Sequence, residues 1–180
     1  MARVTRTAEE LNEASGHVWY ELWMLREASV LFAHTEKEKP AANAYLESAL
    51  VHARGIIEFF RAENAGPRHD DIIALDFFPD DSSPKPWTQL DFGDLKTRID
   101  KQLSHLTFAR TQVADRSWNV DDVLARLRPP VDQFLKVVTP SFLCDKWSTQ
   151  PPNLSVMSPV PIGPSGPSSL GPIGATGPSQ

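Results

Sequence analysis

Arg98 and His105 are the residues whose types and spacing best suit a reaction. They stand in the stretch Leu95-Lys-Thr-Arg98-Ile-Asp-Lys101-Gln-Leu-Ser-His105-Leu-Thr-Phe-Ala-Arg110. On an uninterrupted α-helix, seven residues return to nearly the same side, about 10.5 Å along the axis. Asp94, Lys101 and Gln112 extend the same polar stripe. An imidazole moves protons near neutral pH, and a guanidinium holds a phosphate or offsets developing negative charge. Together they could cleave RNA without a metal, by activating the ribose 2′-hydroxyl or protonating the leaving oxygen. Lys101 and Arg110 are the cations placed to bind such a substrate. The competing arrangement pairs Arg98 with an acidic residue of a neighbouring helix, such as Glu21, and leaves His105 at the edge of the fold.

Other chemistries lack their residues. Only four glycines precede residue 150, and no glycine-rich phosphate loop ends in Lys. No serine sits in a nucleophile elbow. The histidines, His17, His34, His52, His69 and His105, are too far apart in sequence for a local metal pair. Cys144 is the single cysteine, which excludes an internal disulfide and a cysteine-based metal site. No cofactor is implied.

The elements that must position the pair read as helices throughout. Thr7 and Glu10 have capping-box spacing, and Leu11, Ala14, Val18, Leu22, Leu25, Ser29 and Phe32 follow at steps of three and four. A second helix starts at Pro40 and ends near Gly66-Pro67, with Leu46, Leu50, Ala53, Ile57 and Phe60 as its core stripe. Arg54 is expected to pair with Glu47 and Glu58 on its far side. Residues 66–90 form a long Pro- and Asp-rich connection, from which Ile72, Leu75, Phe77 and Phe78 are expected to cover one end of the molecule.

A third helix, residues 91–114, carries Arg98 and His105. A fourth begins at the N-cap Asn119 and meets Pro129-Pro130, which should kink or break it. Trp19, Trp23, Tyr45, Ile56 and Phe59 make a second apolar surface, suited equally to a homodimer contact or to burial under the 66–90 connection. The fold class is all-α: an antiparallel bundle of four to five helices.

A bundle of this kind, with arginine and histidine separated by six residues on a late helix, resembles the HEPN superfamily (higher eukaryotes and prokaryotes nucleotide-binding). The wider pattern is similar to uncharacterised bacterial HEPN-like proteins. It comprises His17-Val-Trp-Tyr-Glu21, His52-Ala-Arg-Gly-Ile-Ile-Glu-Phe-Phe60, Asp76-Phe-Phe78 and Lys101-Gln-Leu-Ser-His105-Leu-Thr, and the resemblance spans about residues 10–138. It implies a metal-independent endoribonuclease of a defence or toxin-like system, usually dimeric, with Arg98 and His105 as the catalytic pair. It equally accommodates a non-catalytic helical binding or scaffold module that engages a protein or nucleotide partner.

Eighteen basic against 23 acidic residues give a net charge of −5, which disfavours non-specific nucleic-acid binding. The charge is uneven: residues 1–95 hold 9 basic and 17 acidic groups, residues 96–146 hold 9 and 6. An anionic partner such as RNA therefore belongs to the second half. Pro, Gly and Ser supply 19 of the last 30 residues, too little apolar area to offset ordering entropy. The expected division is a helical domain over 1–146 and a disordered, uncharged Pro/Gly/Ser-rich tail over 147–180. No apolar run approaches a membrane span and the start lacks a signal core, so a cytoplasmic location is expected.

Overall fold

The computed structural model describes residues 5–65, 70–78, 92–104 and 117–155. Its elements are α1 (Ala8–His34), α2 (Pro40–Ala65), a 3-10 turn (Ala74–Phe77), α3 (Leu95–Ile99) running into a π turn (Asp100–Ser104), α4 (Val120–Val137), a second 3-10 turn (Pro140–Phe142) and the short α5 (Lys146–Thr149). There is no strand among the described residues. The chain is an all-α bundle, as the periodicity indicates.

The capping box forms as spelled: Thr7 Oγ1 accepts from the Glu10 N–H at 3.2 Å, and the Glu10 carboxylate accepts from the Thr7 N–H at 2.8 Å. α1 then packs along α2. Leu11, Val18, Leu22, Leu25 and Ser29 of the expected stripe are buried against Ala49, Leu50, Ala53, Ile56 and Ile57. Buried Ser29 returns its hydroxyl to the Leu25 carbonyl at 2.6 Å, which satisfies it inside the core. Asn119 caps α4, its Oδ1 accepting from the Asp121 N–H at 3.1 Å.

Phe77 and Phe78 close one end of the bundle, as expected. Phe134 of α4 is the centre of the aromatic cluster there, with edge-to-face neighbours Phe59 at 5.3 Å, Phe77 at 5.4 Å and Phe78 at 5.9 Å. Two of the residues expected in this cover differ: Ile72 is exposed and Leu75 half-buried, while Ile73 and Ala74 are buried in their place.

Of the two outcomes expected at Pro129-Pro130, a break does not occur: α4 runs continuously through both prolines. The carbonyls left without N–H donors belong to Ala125 and Arg126, which are exposed, so water can take up those acceptors. Pro130 itself is buried, and Val131 and Phe134 continue the core stripe beyond it.

Packing also continues past Lys146. Trp147 and Leu154 are buried, and long-range hydrogen bonds from this segment and from the residues just before it fasten it to α1. The Trp147 indole N–H donates to the Ser15 carbonyl at 3.1 Å, the Trp19 indole N–H to the Gln150 carbonyl at 2.8 Å, and the Cys144 N–H to Ser15 Oγ at 2.8 Å. Residues 147–155, read from composition as the start of the tail, form a strap over α1 instead. The strap accounts for one residue of the second apolar surface, and Phe77 of the 66–90 connection for another. Trp19 lies beneath the strap and Phe59 beneath Phe77, whereas Trp23 stays 38% exposed. Among the described residues no helix is long and apolar enough to cross a membrane.

Candidate functional site around Arg98

α3 is short because its winding changes. It is α-helical from Leu95 to Ile99, anchored by buried Leu95 and Ile99, and then takes a π turn through Ser104. Each π residue turns roughly 80° rather than 100°, so a chain leaving the turn lags the α-helical register by roughly 90°. The same-side arithmetic for Arg98 and His105 holds only for an uninterrupted α-helix, and the turn lies between them. His105 and Arg110 lie outside the described residues. Lys101 falls within the π turn and is exposed.

Arg98 is half-buried at the mouth of a cavity of about 160 Å³. The wall combines Asp94 and Leu95 with Ser117, Trp118 and Asn119, and Asp122 and Arg126 of α4. Two contacts orient the guanidinium. Its Nη2 donates to the Ser117 carbonyl, and its carbon lies 4.1 Å from the Trp118 ring centroid, a cation–π contact. Among the described residues no ion pair consumes Arg98. Its remaining donors face a cavity that also holds the exposed Arg126.

The expected alternative, a bridge from Arg98 to Glu21, does not form. Glu21 instead binds across the α1–α2 contact, its Oε2 2.7 Å from His52 Nδ1. The Tyr20 ring meets the same imidazole edge-on at 5.9 Å. Gly55 is the reason this carboxylate can sit so close to α2: a Cβ there would lie 3.1 Å from Glu21 Oε2.

Arg54, by contrast, has two carboxylate partners within ion-pair distance. Its guanidinium meets Glu58 at 3.1 Å, as expected from the helical spacing, and Asp100 of the π turn at 2.6 Å. Lys96 completes the cluster, 2.6 Å from Asp100 and 3.4 Å from Glu58. The expected partner Glu47 is not part of it among the described residues. Burial alone would push the Asp100 carboxyl up, but the Lys96 hydrogen bond and the charges of Arg54 and Lys96 outweigh it and hold it below the usual value. The cluster fastens the π turn to α2, and so fixes where Arg98 begins and Lys101 follows.

Trp118 was not singled out from the sequence as part of the site, although it precedes an evident N-cap. It also lines a second, larger cavity of about 500 Å³, with Phe32 of α1, Lys37, and Asn43 and Leu46 of α2. Among the described residues no cluster of histidine, cysteine, aspartate and glutamate has the make-up of a metal site. Compared with family models, curated proteins and solved structures, the chain matches none.

Proposed function

We propose that the chain is a metal-independent endoribonuclease in which Arg98 holds a phosphate and His105 handles protons. The observation that supports this reading best is the contrast between two arginines. Arg54 is spent on Glu58 and Asp100, whereas Arg98 lines a cavity with no ion-pair partner among the described residues. The roles divide by chemistry. A guanidinium stays protonated at any working pH, so Arg98 can only bind and stabilise charge. An imidazole exchanges protons near neutrality, so the proton transfers fall to His105.

In the reaction, the ribose 2′-hydroxyl loses its proton and attacks phosphorus. The bond to the 5′-oxygen breaks, and that oxygen takes a proton as it leaves. The products are a 2′,3′-cyclic phosphate and a free 5′-hydroxyl. Arg98 would face the non-bridging oxygens, whose charge grows as the new bond forms.

The test is RNA cleavage by the intact chain in excess EDTA, beside Arg98→Ala, Arg98→Lys and His105→Ala prepared identically. Cyclic-phosphate ends are expected from the parent, and loss of cleavage from Arg98→Ala and His105→Ala with unchanged helicity and melting temperature. Arg98→Lys should lose most activity, because an ammonium cannot span two phosphate oxygens. Equal background in every sample overturns the reading. The net charge of −5 favours a second reading, a helical binding or scaffold module. RNA retained but uncut by the parent would select it.

A further inference from the structure

We propose that the larger cavity beside Trp118 is a subsite for the base next to the phosphate held by Arg98, and that it favours adenine. For its phosphate the inference rests on the reading above; for its base it rests on the cavity alone.

The two cavities share one wall, Ser117-Trp118-Asn119. A ligand held at Arg98 would have to pass Trp118, against which that guanidinium stacks, to enter the larger hollow lined by Phe32, Leu46 and Trp118. About 160 Å³ suits a phosphate group, whereas about 500 Å³ falls within the range of small-molecule sites. The ends differ in chemistry as well. Two guanidinium groups, Arg98 and Arg126, stand at the small one together with Asp94 and Asp122. At the large one the only cation among the described residues, Lys37, is already bound to the Phe32 carbonyl at 2.9 Å and lies 3.3 Å from the Phe32 ring centroid. Asp121 lines it too. A second phosphate gains little there, while a planar, uncharged base finds apolar walls.

Two carboxamides reach the same space. Asn119 commits its Oδ1 to capping α4, which leaves its NH₂ as a donor. Asn43 is exposed on α2, and its side chain has no hydrogen-bond partner among the described residues. A carboxamide offers a donor and an acceptor side by side, the pattern that matches the N6 and N7 edge of adenine. Unpaired bases bound by proteins use the same combination of aromatic contact and edge hydrogen bonds.

The experiment titrates the intact chain with the four ribonucleoside 5′-monophosphates, adenosine and ribose 5-phosphate, following amide shifts by NMR. AMP is expected to bind at least tenfold tighter than ribose 5-phosphate and to rank first among the nucleotides. Leu46→Trp, which fills the cavity, should remove the tenfold advantage and leave ribose 5-phosphate binding unchanged. Asn43→Ala, at an exposed position, should weaken AMP to the level of the other nucleotides and so level the ranking. Arg98→Ala should weaken AMP but not adenosine.

Equal affinity of AMP and ribose 5-phosphate, or an advantage that survives Leu46→Trp, overturns the subsite. Should Leu46→Trp fail to fold, the flat ranking of Asn43→Ala still decides. RNA cleavage without base discrimination removes the subsite and keeps the nuclease. Base discrimination without cleavage in EDTA does the reverse.

Discussion

Gly55 lies in the interior of α2, where alanine is favoured over glycine by about 0.8–1.0 kcal/mol. Gly55→Ala should nevertheless fail to deliver that gain. The new Cβ would stand 3.1 Å from Glu21 Oε2, so the carboxylate has to withdraw by a few tenths of an ångström. It is not free to do so, because the same oxygen is held by His52 Nδ1 at 2.7 Å. A part-buried hydrogen bond of this kind contributes about 0.5–1.5 kcal/mol. The gain in helix propensity and the loss of the bond are of similar size, so Gly55→Ala should change stability by less than about 0.5 kcal/mol.

In a Glu21→Ala background the obstacle is absent, and the same substitution should stabilise by about 1 kcal/mol. The coupling between the two sites is then about 0.5–1.5 kcal/mol, at or above the roughly 0.3–0.5 kcal/mol scatter expected of independent positions. Urea denaturation of the parent, both single variants and the double variant measures it directly. Equal stabilisation by Gly55→Ala in both backgrounds would refute the claim that the Glu21–His52 contact occupies the space a Cβ needs.

The Asp100 cluster makes a pH-dependent contribution with a definite sign. The folded-state carboxyl is held below 3.8, so its stabilisation is present above that pH and is lost as the pH falls through the lower folded-state value. Asp100→Asn should therefore cost about 1 kcal/mol at neutral pH, the partners being partly exposed, and the parent and variant melting temperatures should converge below about pH 4. Pro129 is exposed within an unbroken helix. Pro129→Ala should stabilise the chain by about 1–2 kcal/mol, the restored helix propensity being offset by a more flexible unfolded chain. A lower melting temperature for this variant would show that the helix depends on the proline.

What could be read from the chain, and what could not, divides by the range of the interaction. Thr7 with Glu10, Asn119 with Asp121, and Arg54 with Glu58 are local pairs, and their spacing alone predicts each contact that forms. Contacts between elements escaped. Arg54 also meets Asp100, and Glu21 meets His52 rather than Arg98, because periodicity tells which face of a helix is apolar but not which neighbour it turns to. The π turn had no signal, since Asp100–Ser104 has the composition of an ordinary helical surface. Composition misplaced the end of the packed region for a related reason. Trp147 and Leu154 are isolated apolar residues in polar, Pro-rich surroundings, and single anchors do not register in an average. At the candidate site, Arg98 stood out by type and position, and it lines a cavity wall. Trp118, which orients it, and the cavity beyond did not stand out, because they depend on where α1 ends and α2 begins relative to α4.

The strap over α1 has a consequence for how the chain reaches its fold. The partners of Asn12, Ser15 and Trp19 are Leu143, Cys144, Trp147 and Gln150, which lie 129 to 132 positions later in the chain. During synthesis the first helix must wait, with Trp19 and its neighbours uncovered, until Gln150 has left the ribosome. Helices α1 and α2 can pair early, since their contacts close only a short loop, but the strap bonds form across a very long one. The last covering step should consequently be separable in time from helix pairing, as a slower phase in Trp19 fluorescence than in helical circular dichroism. A ribosome stalled before Trp147 would hold a helical chain whose tryptophan face is still open to a chaperone.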